Sequence, residues 1–143
     1  MTLQVQPQPI QTQQTHAKQV QAVLPGFKLG HFDINPPIAL APMAGITDLP
    51  FRRICRRFGI GLTVTEMIAS RAVEQGRERT ERMAELDKDE SPVSIQIAGS
   101  DSKFVVDAAL WAVDHGADFV DINMGCPVKK SGQTSGRFCH VAR

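Results

Sequence analysis

From residue 38 onward, short apolar runs alternate with longer stretches whose apolar positions recur every three or four residues. "IALAPM" (38–43) is apolar and stops at Pro and Gly, and "LPFRRICRRFG" (49–59) sets Phe51, Ile54, Cys55 and Phe58 at helical spacing. "LTVTEM" (62–67) is β-branched and predicts a strand, while "ASRAVEQGRERTERMAEL" (69–86) favours a helix apart from Gly76. "PVSIQIAG" (92–99) is a third strand bounded by Pro and Gly. Asp101 or Ser102 can cap a helix through "KFVVDAALWAVDHG", with Val105, Ala109, Ala112 and Val113 on one side and Gly116 at its end. "ADFVDINMGC" (117–126) closes the series as a fourth strand. Ahead of it all, "FKLGHFDI" (27–34) holds a turn-like Gly30-His31 between two short apolar runs, which predicts a hairpin leading into the domain. Strands alternating with helices of this length imply an α/β fold with a parallel sheet and right-handed crossovers.

The polar positions within the strands carry a second message. Strands of a parallel sheet are covered on both faces and read as continuous apolar runs, yet Ser94, Gln96, Asp121 and Asn123 fall on one alternating face of the third and fourth strands. Buried polar groups need partners. Four strand ends finish in polar or turn-forming groups: Pro42-Met43-Ala44, Glu66, Gln96, and Asn123 through Cys126. In α/β sheets and barrels, ligands bind at the carboxyl ends of the strands, so a site there would receive a ligand rich in donors and acceptors.

Composition narrows the picture. The chain has 143 residues, 42% hydrophobic and 22% charged, with a formal net charge of +1, which describes one soluble domain with no overall field to attract nucleic acid. Residues 1–26 are Gln-rich, carry Pro7 and Pro9 and too few large apolar side chains to offset the cost of ordering, and are expected to form a disordered tail. Cys55, Cys126 and Cys139 have no paired spacing, which argues against a disulfide framework, and with the four histidines scattered no metal site is expected. No signal peptide and no membrane-spanning run is evident, so a cytoplasmic location is expected. Gly59-Ile60-Gly61 precedes its strand and lacks a third glycine, and no GxxxxGK[ST] exists, so dinucleotide-fold and P-loop readings are weak.

Four of these segments, "IALAPMAGITDLPFR", "GLTVTEM", "SIQIAGSD" and "DINMGCPVKK", follow one another as in the tRNA-dihydrouridine synthases, and the chain most closely resembles the bacterial B-type enzymes across Phe27 to Lys130. The resemblance implies an FMN-dependent (β/α)8 TIM barrel that reduces uridine in tRNA to 5,6-dihydrouridine with NADPH as electron donor. It also implies that Pro42, Met43 and Ala44 line the FMN, Gln96 hydrogen-bonds the isoalloxazine, Asn123 borders it and Cys126 is catalytic. A thiol suits proton delivery to the uracil ring, because a Cys of ordinary pKa near ~8.5 is mostly protonated at neutral pH. Without the motif around it, Cys126 would read as a small buried apolar group, and Gln96 and Asn123 as loop-satisfying amides. Arg52, Arg53, Arg56 and Arg57 lie opposite the apolar positions of their helix and read as a solvated row, with tRNA phosphate contact as the alternative. Lys129 and Lys130 carry the same two readings.

A complete barrel takes ~250 residues, and this chain supplies four strands. The fold expected is therefore the N-terminal half of a TIM barrel, truncated after the fourth strand, with residues 27–130 as the FMN-binding part. The tail "SGQTSGRFCHVAR" (131–143) does not resemble the family's continuation, and a frameshifted or truncated gene product is the explanation it favours. Two other functions remain open: a non-catalytic fragment that self-associates through exposed sheet edges, and an FMN barrel reductase acting on a free pyrimidine.

Overall fold

The computed structural model describes residues 25–125. It opens with the expected hairpin, in which β1 (Phe27–Leu29) pairs antiparallel with β2 (Phe32–Ile34) through a turn at Gly30 and His31. Next come α1 (Leu49–Arg57), β3 (Thr63–Val64), β4 (Ile68–Ala69), α2 (Ser70–Glu74), α3 (Glu78–Met83), β5 (Val93–Ala98), α4 (Ser102–Asp114) and β6 (Phe119–Ile122). The fold is α/β with a parallel sheet: β5 is central, β3 and β4 lie on one side of it and β6 on the other. The sheet is open. Residue 39 continues it beyond β3 through one parallel bridge to Leu62, so the predicted strand 38–43 is reduced to a single bridge. Its loop leaves early because Met43 accepts the amides of Ile46 and Thr47, both at 3.0 Å, which curls the backbone into a turn.

Two predicted elements are each split in the structure. The strand predicted over 62–67 becomes β3 and β4, because between the two paired stretches Thr65, Glu66 and Met67 stand against only Ile95 and Gln96 on β5. One extra residue makes a bulge. The bulge takes a backbone acceptor away from Gln96, whose amide donates instead to the Thr65 hydroxyl at 3.2 Å. The helix predicted over 69–86 becomes α2 and α3, since Gly76 adopts φ +54° and ends the first turn set. In α4, Asp101 is the cap, accepting from the Lys103 amide at 3.1 Å.

The apolar core lies on the helix side of the sheet. Ile68, Ile95 and Ile97 pack there with Ala84, Ala108 and Ala112, all 2% exposed or less. Each isoleucine buried in this way contributes ~1.5–3 kcal/mol, and the alanines of α4 let that helix sit close to the strands. Val113, expected on the buried side of α4, is exposed instead, because Ala108 and Ala112 set the contact line. The alternate residues of β5, Ser94 and Gln96, face the other side, and there the ring of Phe32 from the hairpin lies 5.1 Å from that of Phe119, covering the amino end of the face.

The arginine row on α1 is not a uniform solvated face. Arg52 is fully buried: its Nε donates to Glu90 Oε1 at 2.7 Å, Nη1 to the Thr47 carbonyl at 2.8 Å, and Nη2 to the Glu85 carbonyl at 2.6 Å and to Glu90 Oε2 at 3.1 Å. Thr63 adds a hydroxyl donor to Glu90 Oε1 at 2.8 Å. Arg53 reaches Asp87 at the surface, and that hydrogen bond holds the Asp87 carboxyl below the usual carboxylate range. Arg56 donates to the Ser91 carbonyl at 2.5 Å, which leaves Arg57 as the member of the row turned to solvent without an ion pair among the described residues. Ile54 and Phe58, predicted to be core, are half exposed because α1 meets the sheet through Leu49 and Arg52 instead.

Removing one member of a buried ion pair leaves the other charged and unsatisfied. Arg52→Met is therefore expected to lower the unfolding free energy by ~3–5 kcal/mol, and combining it with Glu90→Leu should recover much of that loss. Urea unfolding followed by circular dichroism measures both, and a single-variant loss no larger than that of a surface substitution would contradict the assignment.

Candidate functional site

At the carboxyl ends of β5 and β6, three polar side chains form a directed chain of hydrogen bonds. Parallel pairing sets Gln96 opposite Asp121, and Asn123 continues the ladder by donating its amide to the Ile97 carbonyl at 2.8 Å. Residues 121 and 123 therefore share the face of Gln96. Gln96 Nε2 donates to Asp121 Oδ2 at 2.5 Å, and Gln96 Oε1 accepts from Asn123 Nδ2 at 3.3 Å. The carboxylate dictates the direction: it only accepts, so the Gln96 amide must turn its nitrogen toward Asp121 and its oxygen toward Asn123. Asn123 Oδ1 then accepts the Gly125 amide at 3.0 Å, and its nitrogen also reaches the Met67 sulfur at 3.5 Å.

The neighbouring loop is tied to the same edge. The bulge aims Glu66 at the turn after residue 42, where Glu66 Oε2 accepts the Gly45 amide at 2.5 Å. Gly45 holds φ +73°, a conformation that L side chains rarely adopt. Thr47 closes the turn from within, its Oγ1 accepting the Met43 amide at 3.0 Å. Pro42 and Met43 are half-buried and Ala44 is exposed, so the turn offers its surface at the mouth of the site.

Of the residues singled out in the sequence, Gln96 and Asn123 are in direct contact, and Pro42, Met43 and Ala44 lie on the turn that Glu66 fastens. Cys126 lies outside the described residues, as do Lys129 and Lys130. Sequence reasoning left Glu66, Met67 and Asp121 out of the site. Asp121 was legible as a polar residue on the alternating face, but its control of the amide direction depends on register. Glu66 and Gly45 are 21 residues apart, and no local pattern joins them.

The donor set suits a neutral ring edged with heteroatoms. Gln96 keeps one N–H beyond its bond to Asp121, and the half-exposed turn amides and carbonyls stand nearby. Among the described residues neither Glu66 nor Asp121 forms an ion pair with a cation, so a ligand's phosphate would have to be held by other groups. Ser94 lies on the same face, two residues before Gln96, and its buried hydroxyl has no hydrogen-bond partner among the described residues.

The described residues thus form an open parallel α/β sheet with a chain of polar side chains at its carboxyl edge. The chain belongs to the dihydrouridine synthase family, whose model matches residues 39–136. It is 45% identical over 104 residues to tRNA-dihydrouridine synthase B of Xanthomonas axonopodis pv. citri, covering 73% of this chain and 31% of that protein. It is 47% identical over 113 residues to a probable tRNA-dihydrouridine synthase of Rhodobacter capsulatus, covering 77% and 35%. The B enzyme of Pseudomonas syringae pv. tomato is 45% identical over 104 residues, covering 72% of this chain and 31% of its own length. The chain thus spans about a third of the length of the curated relatives it matches.

The unpartnered hydroxyl gives a direct stability test. Among the described residues the Ser94 hydroxyl meets no partner, so Ser94→Ala is expected to raise the unfolding free energy by ~1 kcal/mol. Urea unfolding measures it; destabilisation by as much as a lost hydrogen bond would show that Ser94 has a partner.

Proposed function

We propose that this chain supplies the amino-terminal, flavin-facing part of a tRNA-dihydrouridine synthase site, on strands that belong to a (β/α)8 barrel and act in the cytoplasm. The observation that carries the reading is the Asp121–Gln96–Asn123 chain on the polar face at the strand ends, where a ring with mixed donors and acceptors would rest. FMN, when bound, supplies hydride to C6 of the uracil ring, with NADPH as the source of its electrons. Gln96 would present its remaining N–H to a ring heteroatom, held in that orientation by Asp121. Asn123 would border the ring with its amide locked between Gln96 and the Gly125 backbone. Pro42, Met43 and Ala44 would cover the ring's face, their turn kept in place by Glu66 and Thr47.

Cys126 follows Gly125 in the sequence, and the Gly125 amide is anchored on Asn123 Oδ1. In the proposed role the protonated thiol delivers a proton to C5 of the uracil as hydride reaches C6, so that no full carbanion builds up. The substrate in this reading is a uridine in tRNA, and Lys129 and Lys130 are the candidates to meet its phosphates.

A chimera in which residues 27–130 replace the matching segment of the Xanthomonas B enzyme tests the reading. It is expected to retain FMN and to form dihydrouridine in tRNA lacking the modification; a chimera that folds with flavin yet forms none would count against it. In that background Cys126→Ala should cut turnover sharply while the flavin absorbance persists, because it removes the proton donor and leaves the ring's contacts. Near wild-type turnover would remove Cys126 from the mechanism. Gln96→Leu leaves a ring heteroatom and Asn123 without their partner, a loss of ~1–3 kcal/mol, or roughly 5- to 150-fold weaker FMN binding. Fluorescence titration of the flavin measures it, and unchanged affinity would speak against contact between Gln96 and the ring.

A further inference from the structure

The turn at 42–47 and the Gln96 amide are two sides of the proposed ring site, and a chain of buried polar groups joins them away from its open face. It begins where α1 starts. The first amides of α1 go to Asp48: Phe51 donates to Asp48 Oδ1 and Arg52 to the Asp48 carbonyl, both at 3.0 Å. The Thr47 carbonyl, one residue earlier, is left to a side chain, and Arg52 Nη1 donates to it at 2.8 Å. Thr47 is fully buried, so without that donor its carbonyl has no water to turn to.

From Thr47 the chain runs two ways. Toward the site, the Thr47 hydroxyl accepts the Met43 amide at 3.0 Å while the Thr47 amide donates to the Met43 carbonyl at 3.0 Å, so residue 47 holds residue 43 by side chain and backbone at once. Toward the sheet, Arg52 grips both oxygens of Glu90, which lies just ahead of β5, the strand that carries Gln96. The Thr63 hydroxyl on β3 donates to Glu90 Oε1 at 2.8 Å and fixes the carboxylate from a second strand.

The structure assigns to Arg52 a task besides holding its helix: it is a positioning residue that sets where the 42–44 turn stands relative to Gln96, and so shapes a ring site it does not touch. For the ring, this rests on the flavin reading above; for the turn, it rests on the hydrogen bonds alone. A side chain that only stabilised the fold would change binding in step with stability. One that positions the turn changes binding even where stability is regained, because an apolar replacement of the pair removes the unpaired charge but leaves the Thr47 carbonyl without its donor.

The test uses Arg52→Met with Glu90→Leu, the pair expected above to regain much of the stability that Arg52→Met loses. In the chimera with the Xanthomonas enzyme, flavin fluorescence titration is expected to show this variant binding FMN about tenfold more weakly than the parent, the loss that accompanies one unmade hydrogen bond at a buried group. Thr47→Val cuts the link at the hydroxyl, leaves Arg52 and Glu90 in place, and should weaken FMN binding by a similar factor. Since both changes loosen one turn, the three substitutions together should bind no more than about twofold worse than the weaker of the two, where independent effects would multiply to about a hundredfold. In the 143-residue chain without flavin, hydrogen exchange at the amides of residues 43 and 47 should be about tenfold faster in either variant, while the amides of β5 keep their protection. Regained stability with parental FMN affinity overturns the proposal, as do losses that multiply. If the parent chimera folds without taking up FMN, the flavin reading falls by itself and the exchange rates decide the positioning: unchanged exchange at residues 43 and 47 overturns it. Should the Arg52–Glu90 variant fail to fold, Thr47→Val carries the test, and affinity and exchange equal to the parent's overturn the proposal.

Discussion

The buried guanidinium of Arg52 is the point on which the arrangement of the first helix depends. A charge removed from water is tolerated only when its donors are met, and here every nitrogen of Arg52 has an acceptor: both oxygens of Glu90 and the carbonyls of Thr47 and Glu85. Glu90 is satisfied in turn by Thr63 and by the Asp87 amide at 3.4 Å. One side chain therefore joins α1, the turn ending at Thr47, the segment that leads into β5, and the start of β3. Apolar packing alone would let α1 slide along the sheet, since dispersion contacts have little directional preference. The fork of Arg52 permits one position.

That position reaches the candidate site through the turn. The Thr47 carbonyl accepts from Arg52 while the Thr47 hydroxyl closes the turn at Met43, so the helix-side network and the strand-end loop share a residue. Glu66 holds the same turn from the opposite side through Gly45. The loop that carries Pro42, Met43 and Ala44 is thus gripped at two places, and its shape follows from groups that never touch the site's open face.

Period and punctuation made the element order readable. The hairpin at Gly30-His31, the strand at 93–98 and the helix from the Asp101 cap to Gly116 follow from local signals, because their determinants lie within a few residues. What stayed hidden were the features set by partners far along the chain. Arg52 has the residue type that belongs outside, and nothing beside it announces Glu90, 38 residues later. Its burial goes with the exposure of Ile54 and Phe58, while Phe51 and Cys55 of the same predicted face stay half-buried, so one unreadable pair turned the helix only in part. The bulge at Thr65–Met67 adds one residue to one strand and is visible only once the two registers with β5 are compared. In the site, alternation correctly set Gln96 and Asn123 on one face, whereas the direction of the amide chain required knowing that Asp121 stands opposite Gln96.

The two faces of the sheet divide stability from chemistry. Ile95 and Ile97 point to the helices and form the core, while Ser94 and Gln96, interleaved with them on the same strand, point to the polar face. A period of two lets a single strand serve both ends without conflict. The polar face is held by a few hydrogen bonds, each worth about 1 kcal/mol net, and the helix face by isoleucines worth two or three times that. Polar residues at the strand ends can therefore change their partners for a ligand without threatening the fold, and the bulge beside Gln96 extends that freedom by turning Glu66 from the ladder toward the loop. Ser94 sits within the same division, its hydroxyl on the polar face between Val93 and Ile95, both buried.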